Sequence, residues 1–256
     1  MDTLPTTRSH SELLAAIESR CSRRAYVPQP LRADIAESLQ ISITRMNNAA
    51  GLNMWLVRGD KAAFSSARKT YGFFTGVQNY VALVGDPDNA AEDERYGYYG
   101  QLLILEATLM GLGTCWVGGT FDRTAVPLDP DKGRSVGCVI TIGEVSDKLT
   151  GREKTIKRIT HRRGSKTVEQ MSSFAEPVPE WFLDGIRAVQ KAPSAVNRQP
   201  VVFSYRDGDV IASVKDVTTE RVFYDLGIAK LHFEIGAGGG RWEWGNNGVF
   251  TRDSSL

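Results

Sequence analysis

The 256-residue sequence predicts an α+β fold, because segments with helical periodicity alternate with short apolar runs typical of strands. The strongest helix is predicted from about Glu92 to Met110, where aliphatic residues occupy nearly every face and Gly111 follows as a C-cap. Two continuous apolar runs, Tyr80–Gly85 and Val136–Gly143, are typical of strands buried on both faces. The order of elements recurs after Pro177, which indicates an internal repeat.

The other elements follow from the same patterns. Further helices are predicted around Leu13–Ile17 and at Leu31–Ile43, Glu180–Gln190 and Asp225–Ile235, and further strands at Asn53–Arg58 and Val201–Tyr205. The segment Lys148–Lys166 is predicted to be a loop, and its cations are Arg152, Lys154, Lys157, Arg158, Arg162, Arg163 and Lys166.

Composition and charge argue against several classes of function. With 31 Lys and Arg against 30 Asp and Glu, the net charge of +1 favours neither nucleic acid nor an anionic membrane. No apolar run approaches the roughly 20 residues that span a bilayer, and the polar start, Met1–His10, does not resemble a signal peptide. Three cysteines and three histidines show no metal-ligand spacing, so we expect no metal site and a reducing, cytoplasmic location.

The run Ala192–Pro200, here called the proline turn, combines a tight turn with neutral polar groups. Pro193 fixes its own φ and biases its predecessor toward extended backbone, so the preceding helix should end there. Ser194, Asn197 and Gln199 then supply side-chain donors and acceptors beside exposed backbone amides. Such groups suit the edge of a planar heterocycle, although an ordinary polar helix-to-strand turn has the same composition.

The run Arg20–Arg24, here called the arginine motif, places guanidinium groups around Ser22 just after the first predicted helix. Guanidinium groups form fork-shaped donor sets for phosphate or for a carbonyl-rich ring edge. The alternative is a helix C-terminus whose cations complement the helix dipole.

Together the two runs resemble the FMN-dependent nitroreductase family. In that family an Arg-x-Ser-x-Arg element follows the first helix, and an Ala-Pro-Ser-x-x-Asn-x-Gln-Pro element follows the second. A Gly-Leu-Gly-Thr-x-Trp-x-Gly-Gly stretch comes later and corresponds here to Gly111–Gly119, the glycine motif. The order departs from the family, because the proline turn follows the glycine motif here, whereas it lies near the N-terminus of ordinary members.

This departure predicts an internal duplication, with residues 1–170 as a first half and residues 171–256 as a shorter second half packed into one globular unit. The first half carries the arginine motif and a degraded turn, Asn47–Asn53, whereas the second carries the intact proline turn. Ordinary members are homodimers with flavin at the subunit interface. We therefore expect a monomeric pseudo-dimer about a pseudo-twofold axis, with a central, mostly antiparallel sheet flanked by helices and one FMN between its halves.

The resemblance implies roles for individual residues. The expected FMN contacts are Arg20, Ser22, Arg24, Val117, Gly118, Gly119, Arg152, Lys154, Pro193, Ser194, Ala195, Asn197 and Gln199. Arg20 and Ser22 would bind the phosphate or ribityl hydroxyls, and Arg24 would stabilise the negative charge of reduced flavin at the N1 and O2 edge. Gly118 and Gly119 would place a backbone N–H near N5, although a plain strand-end turn reads the same way.

The implied activity is transfer of hydride or electrons from NADH or NADPH to a flat acceptor such as a nitroaromatic or a quinone, with ping-pong kinetics. No catalytic side chain is expected, since the flavin supplies the chemistry. One alternative is a non-catalytic flavin-binding protein for storage or sensing, in which an aromatic residue covers the open flavin face; the candidates are Trp55, Phe73, Phe74 and Trp242. A remnant that has lost flavin is a third possibility.

Overall fold

The structure is a computed structural model that describes residues 4–128, 133–160, 164–175, 177–218 and 221–253. His161, Arg162 and Arg163 of the predicted basic loop lie outside the described residues. The helices are α1 (His10–Ser19), α2 (Ala33–Ala50), α3 (Ala67–Thr70), α4 (Ala90–Leu109), α5 (Gly151–Thr160), α6 (Val168–Met171), α7 (Glu180–Gln190) and α8 (Val222–Gly236). The strands are β1 (Met54–Arg58), β2 (Asn79–Gly85), β3 (Gly113–Val117), β4 (Ser135–Gly143), β5 (Ser172–Phe174), β6 (Val201–Arg206), β7 (Asp209–Val214), β8 (Gly240–Trp242) and β9 (Gly248–Arg252).

The chain divides into two compact units, each with its own sheet. Residues 19–89 and 103–159 form the four-stranded unit, and residues 1–18, 90–102 and 160–256 form the five-stranded unit. The predicted α+β class is confirmed, but the strands form two sheets where the resemblance implied one central sheet. The division into halves 1–170 and 171–256 and the internal duplication stay predictions.

The four-stranded unit is built around an antiparallel sheet with strand order β1-β2-β4-β3. The apolar run predicted as a strand forms β2, which pairs with β1 and β4 and is buried along almost its whole length. An aromatic cluster lies in the core of this unit, where the Phe64 ring is 5.4 Å from that of Phe74 and 5.6 Å from that of Tyr80. These contacts fix the sheet that carries the glycine motif.

The prediction of a turn at Asn47–Asn53 in the first half is wrong for residues 47–50, which are helical. Helix α2 continues to Ala50 and ends at Gly51, which adopts a left-handed φ of 65°. The Asn47 side chain then hydrogen bonds to both backbone groups of Met54, at 3.0 Å each. The helix therefore continues past the predicted turn, and Asn47 connects its last turns to β1.

The five-stranded unit has strand order β5-β6-β7-β9-β8, in which β5 and β6 are parallel and the other pairs are antiparallel. Helix α8 is buried on nearly every side. Its Phe233 ring stacks on Phe203 at 4.9 Å and meets Trp242 at 5.4 Å. The helix lies in the core of this unit, and its buried residues include the charged Asp225 and Lys230 as well as apolar side chains.

The prediction of a basic loop over Lys148–Lys166 is wrong for residues 151–160, which form α5. The helix begins with a reciprocal capping arrangement, since Thr150 N donates to Glu153 Oε2 at 2.8 Å and Glu153 N donates to Thr150 Oγ1 at 3.2 Å. Of residues 151–159, Glu153 and Ile156 are buried. Among the described helices, none combines the length and apolar character that a membrane crossing requires.

Candidate functional site

The arginine motif lies beside the glycine motif in the four-stranded unit. Ser22 forms a parallel bridge with Thr114 of β3, and Arg23 N donates to Thr114 O at 2.8 Å. On the other side of the chain, Thr75 N donates to Arg24 O at 2.9 Å. Two motifs separated by about ninety residues in sequence are thus brought together in one unit, as the resemblance implies.

Glu153 of α5 holds the arginine motif in place. Its Oε1 accepts hydrogen bonds from Arg24 N at 2.8 Å, Arg23 Nε at 3.0 Å and Ala25 N at 3.2 Å. Its Oε2 accepts from Thr150 N at 2.8 Å and Thr150 Oγ1 at 3.0 Å. Burial alone raises the pKa of Glu153, but the hydrogen bonds from Arg24 N, Arg23 and Thr150 outweigh burial and lower the pKa to about 2.

Arg24 borders a small cleft in this unit. The cleft has a volume of about 170 Å³, and its lining residues are Arg24, Ala25, Phe73, Thr75, Thr150, Arg152 and Glu153. The guanidinium group of Arg24 makes no hydrogen bond to any described residue. Ligand pockets usually exceed about 300 Å³, so the cleft suits one part of a larger ligand.

Arg152 and Lys154, both predicted phosphate ligands, lie differently on α5. Arg152 lines the cleft, and its guanidinium group lies over Gly72. A Cβ added to Gly72 would be 2.7 Å from Arg152 Nη2. Lys154 is exposed and follows two residues later, about 200° further around the helix. The structure therefore brings Arg152 to the Arg24 cleft and does not bring Lys154 there.

Arg20 carries a buried polar atom without a partner. Its Nη1 donates to Ser22 Oγ at 3.4 Å, whereas its Nε is buried and has no hydrogen bond in the described part of the chain. Burial lowers the pKa of this guanidinium group. A buried donor left unsatisfied costs about 1–3 kcal/mol, so Arg20 fits a site that an anionic or carbonyl-rich ligand completes.

The glycine motif ends at the edge of the sheet. Val117 is the buried last residue of β3, and Gly118 O accepts a hydrogen bond from Arg123. At Gly119, an added Cβ would meet nothing within 4 Å. Protein packing therefore does not require glycine at this position, and the open space fits a ligand that approaches the backbone.

The proline turn, in the five-stranded unit, has an unusual backbone. Val196, Asn197 and Gln199 have φ values of 46°, 55° and 47°. A left-handed φ is a genuine outlier for a β-branched residue such as Val196, and clusters of such outliers are found at ligand sites. The backbone thus holds the turn in a shape that ordinary turn sequences avoid.

Protein contacts hold this strained turn. The Gln199 carboxamide accepts from Lys166 N at 2.8 Å and donates to Gln190 O at 3.1 Å, and Gln199 N donates to Ser194 Oγ at 2.9 Å. Asn197 Nδ2 donates to Gly164 O at 3.1 Å. Both ends of the Gln199 side chain are occupied, which indicates a role in shaping the turn, and its contact with a cofactor stays a prediction.

Asp225 of α8 also holds the proline turn. Its two carboxylate oxygens lie 3.0 and 3.3 Å from Ala195 N, which donates to them. Burial raises the pKa of Asp225 to about 7, although the hydrogen bond from Ala195 and the charge of Arg198 oppose the shift. Pro193 and Ala195, the other predicted contacts in the turn, are half-buried and exposed respectively.

The predicted site residues thus fall into two groups, one in each unit. The arginine motif, the end of the glycine motif and Arg152 belong to the four-stranded unit, and the proline turn belongs to the five-stranded unit. Sequence reasoning missed Glu153 and Asp225. The Thr150-x-x-Glu153 capping pattern signals the helix that presents Glu153, but nothing in the sequence pairs Asp225 with Ala195.

The four predicted cover residues have different environments. Phe74 and Trp242 are buried in the cores of their own units, and Trp55 is exposed on β1. Phe73 lines the Arg24 cleft and is 41% exposed. Phe73 is thus the predicted cover residue that lies at the candidate site.

An α+β fold in which the arginine motif lies beside a strand followed by two glycines is the arrangement that the resemblance to the nitroreductase class implies. Residues 12–237 match the family described as "Putative TM nitroreductase", and the chain belongs to this family. The predicted resemblance is confirmed, and family membership makes the chain an oxidoreductase. A comparison with curated proteins found no match.

The fold is similar to that of a solved putative nitroreductase, and two further solved structures match about half of the chain. A putative nitroreductase from Thermotoga maritima MSB8 is 18% identical with a TM-score of 0.61, and the match covers 98% of this chain and 97% of that one. An FMN-dependent nitroreductase from Clostridium difficile R20291 is 16% identical with a TM-score of 0.42, over 54% of this chain and 89% of that one. A putative NADH dehydrogenase/NAD(P)H nitroreductase from Parabacteroides distasonis ATCC 8503 is 20% identical with a TM-score of 0.44, over 54% and 90%.

Proposed function

We propose that this protein is an FMN-dependent oxidoreductase that takes hydride from NADH or NADPH and reduces a flat acceptor such as a nitroaromatic or a quinone. The observation that carries the proposal is that two arginines of one motif offer donors to a ligand: Arg20 has a buried Nε without a partner among the described residues, and the Arg24 side chain borders a cleft. A phosphorylated, carbonyl-rich cofactor supplies the acceptors that these groups lack.

When bound, FMN supplies the redox chemistry, so the chain's own residues need only bind, orient and stabilise charge. Arg20 and Ser22 would hold the phosphate or the ribityl hydroxyls. Arg24 would stabilise negative charge at the N1 and O2 edge, and Arg152 would add a second cation from α5. Lys154, which faces away from the cleft, stays a predicted phosphate ligand from the resemblance alone.

The open backbone at Gly119 supports a close approach of the ring to the end of β3. The neutral donors of the proline turn, from Pro193 to Asn197, stay predicted flavin contacts from the resemblance. This second group is proposed on the motif and on its strained backbone. We further propose that the protein works as a cytoplasmic monomer with one FMN per chain, without a nucleic-acid or membrane partner.

The position of Phe73 favours a second candidate function. An exposed aromatic ring at the cleft could cover the flavin face and keep substrates away from it. The protein would then bind flavin for storage or sensing, without turnover. Anaerobic mixing with NADH and with NADPH separates the two functions. In an enzyme, the reductant should bleach the visible absorbance of the bound flavin, and a quinone added afterwards should restore it. A flavin that stays oxidised with both reductants would favour the storage protein.

The first experiment measures bound FMN per chain and the mass in solution of the purified 28.2 kDa protein. One FMN per chain on a monomer is the expected result.

The second experiment uses Arg24→Gln, which removes a charge-assisted hydrogen bond of about 1.5–3 kcal/mol from reduced flavin. The midpoint potential should fall by about 30–65 mV, since about 30 mV corresponds to 1.4 kcal/mol for a two-electron couple. Arg68→Gln, at an exposed position of α3, serves as the matched control. Absence of bound FMN, or an unchanged potential in Arg24→Gln, would refute the respective part of the proposal.

A further inference from the structure

Glu153 makes more contacts with the arginine motif than a helix cap requires. A capping box uses only the two bonds between the N-cap residue and the third helical residue, which here are Thr150 and Glu153. The other oxygen, Oε1, accepts three hydrogen bonds from residues 128 to 130 positions away in the sequence. The Glu153 side chain is only 3% exposed, so its carboxylate is shielded from bulk water.

The contacts fix the backbone on both sides of Arg24. Glu153 Oε1 accepts from Arg24 N at 2.8 Å, and Thr75 N donates to Arg24 O at 2.9 Å. With both peptide groups held, the direction of the Arg24 Cα–Cβ bond is set without any contact to its guanidinium group. The side chain is thereby directed along the cleft wall while its charged end stays available.

The same carboxylate also fixes the second cation of the cleft. Arg152 directly precedes Glu153 on α5, and the helix begins where Thr150 and Glu153 cap each other. One buried side chain therefore anchors Arg24 through its backbone and Arg152 through its neighbour in the helix. A displacement of the Glu153 carboxylate would change the distance between the two guanidinium groups.

We infer that Glu153 is the positioning residue of the flavin site, which sets the spacing of Arg24 and Arg152 so that both bind FMN at once. The inference rests on the proposed function. A neutral replacement cannot do the same, because Oε1 accepts from three donors and Oε2 from two. In Glu153→Gln the amide group would place its own N–H against either the arginine motif or Thr150.

The test compares Glu153→Gln with Glu106→Gln in the FMN-loaded protein and in the apoprotein. Glu106 is a matched control, because it is also buried in the four-stranded unit and is also bonded to an arginine and a serine, Arg45 and Ser42. Both variants should lower the melting temperature. Only Glu153→Gln should weaken FMN affinity, by about five- to tenfold in fluorescence titration of the apoprotein, and change the midpoint potential.

A double-mutant cycle separates positioning from simple stabilisation. If Glu153 acts through Arg24, Glu153→Gln should change the potential of the wild type but have little further effect in the Arg24→Gln background. Glu153→Asp, which keeps the charge on a shorter side chain, should fold and give an intermediate affinity. It replaces Glu153→Gln in the cycle if that variant does not fold.

FMN affinity within twofold of wild type in the folded Glu153 variants, or additive effects on the potential, would overturn the inference. A wild type that binds no FMN would overturn the proposed function as well, whereas FMN-loaded wild type with unaffected Glu153 variants overturns only the positioning role.

Discussion

Asp225→Asn tests how the five-stranded unit holds its proline turn. The Asp225 carboxylate is buried and accepts from Ala195 N at 3.0 Å, and burial raises its pKa from 3.8 to about 7. A raised carboxyl pKa means that the folded state binds the proton more tightly than the unfolded state. Folding stability therefore falls as pH rises from about 4 to about 7, and the loss is complete above pH 7. Asparagine keeps an acceptor for Ala195 N without the charge.

The magnitude follows from the two pKa values. A pKa of about 7 in place of 3.8 corresponds to an upper limit of about 4 kcal/mol at pH 8. Relaxation around a buried carboxylate reduces such values, so we expect Asp225→Asn to be more stable than wild type at pH 8 by about 1–2 kcal/mol. This difference corresponds to roughly 2–8 °C in melting temperature for a chain of this size.

The assay is thermal unfolding followed by circular dichroism between pH 4.5 and pH 8, with the exposed Asp209→Asn as control. The difference between Asp225→Asn and wild type should grow with pH, whereas the control should follow wild type throughout. Parallel curves for Asp225→Asn and wild type over this range would refute the reasoning, because the Asp225 carboxyl group would then titrate as it does in the unfolded chain.

Two further predictions concern the same unit. Lys230→Met should destabilise the protein by about 3–5 kcal/mol in urea unfolding, since it leaves the buried Glu94 carboxylate, 2.5 Å from Lys230 Nζ, without its ion pair. The double variant with Glu94→Gln should recover part of this loss, and a near-neutral single variant would contradict the expected cost of breaking a buried ion pair. Asn197→Ala should weaken FMN affinity several-fold to about tenfold in fluorescence titration. If its melting temperature falls equally with and without FMN while its affinity stays unchanged, Asn197 only closes the turn through Gly164 O.

The elements that the sequence predicts correctly are those whose pattern is local. The run Tyr80–Gly85 forms β2 because apolar residues on both faces require burial on both faces, and Glu180–Gln190 forms α7 with the predicted bounds. Helix α5 was missed because its buried face carries Glu153, a charged residue whose burial depends on donors more than a hundred residues away. Short strands such as β8, with three residues, give too little pattern to recognise.

The candidate site shows the same division. Family spacing indicated the arginine and glycine motifs, but the bridge between Ser22 and Thr114 that joins them is a tertiary contact. Spacing also made Arg152 and Lys154 equivalent, as two cations in one basic loop. The helix separates them, because two residues along α5 correspond to more than half a turn.

The left-handed backbone at Val196 has a consequence for how a ligand would meet the proline turn. A valine at φ 46° lies outside the conformations that its branched side chain prefers, so the turn keeps this shape through hydrogen bonds that include those to Asp225, Gln190 and Lys166. Folding therefore bears the conformational cost before any ligand is present. A ligand that contacts this turn loses little affinity to ordering it, whereas glycine at position 196 would relieve the strain and make the free turn more mobile.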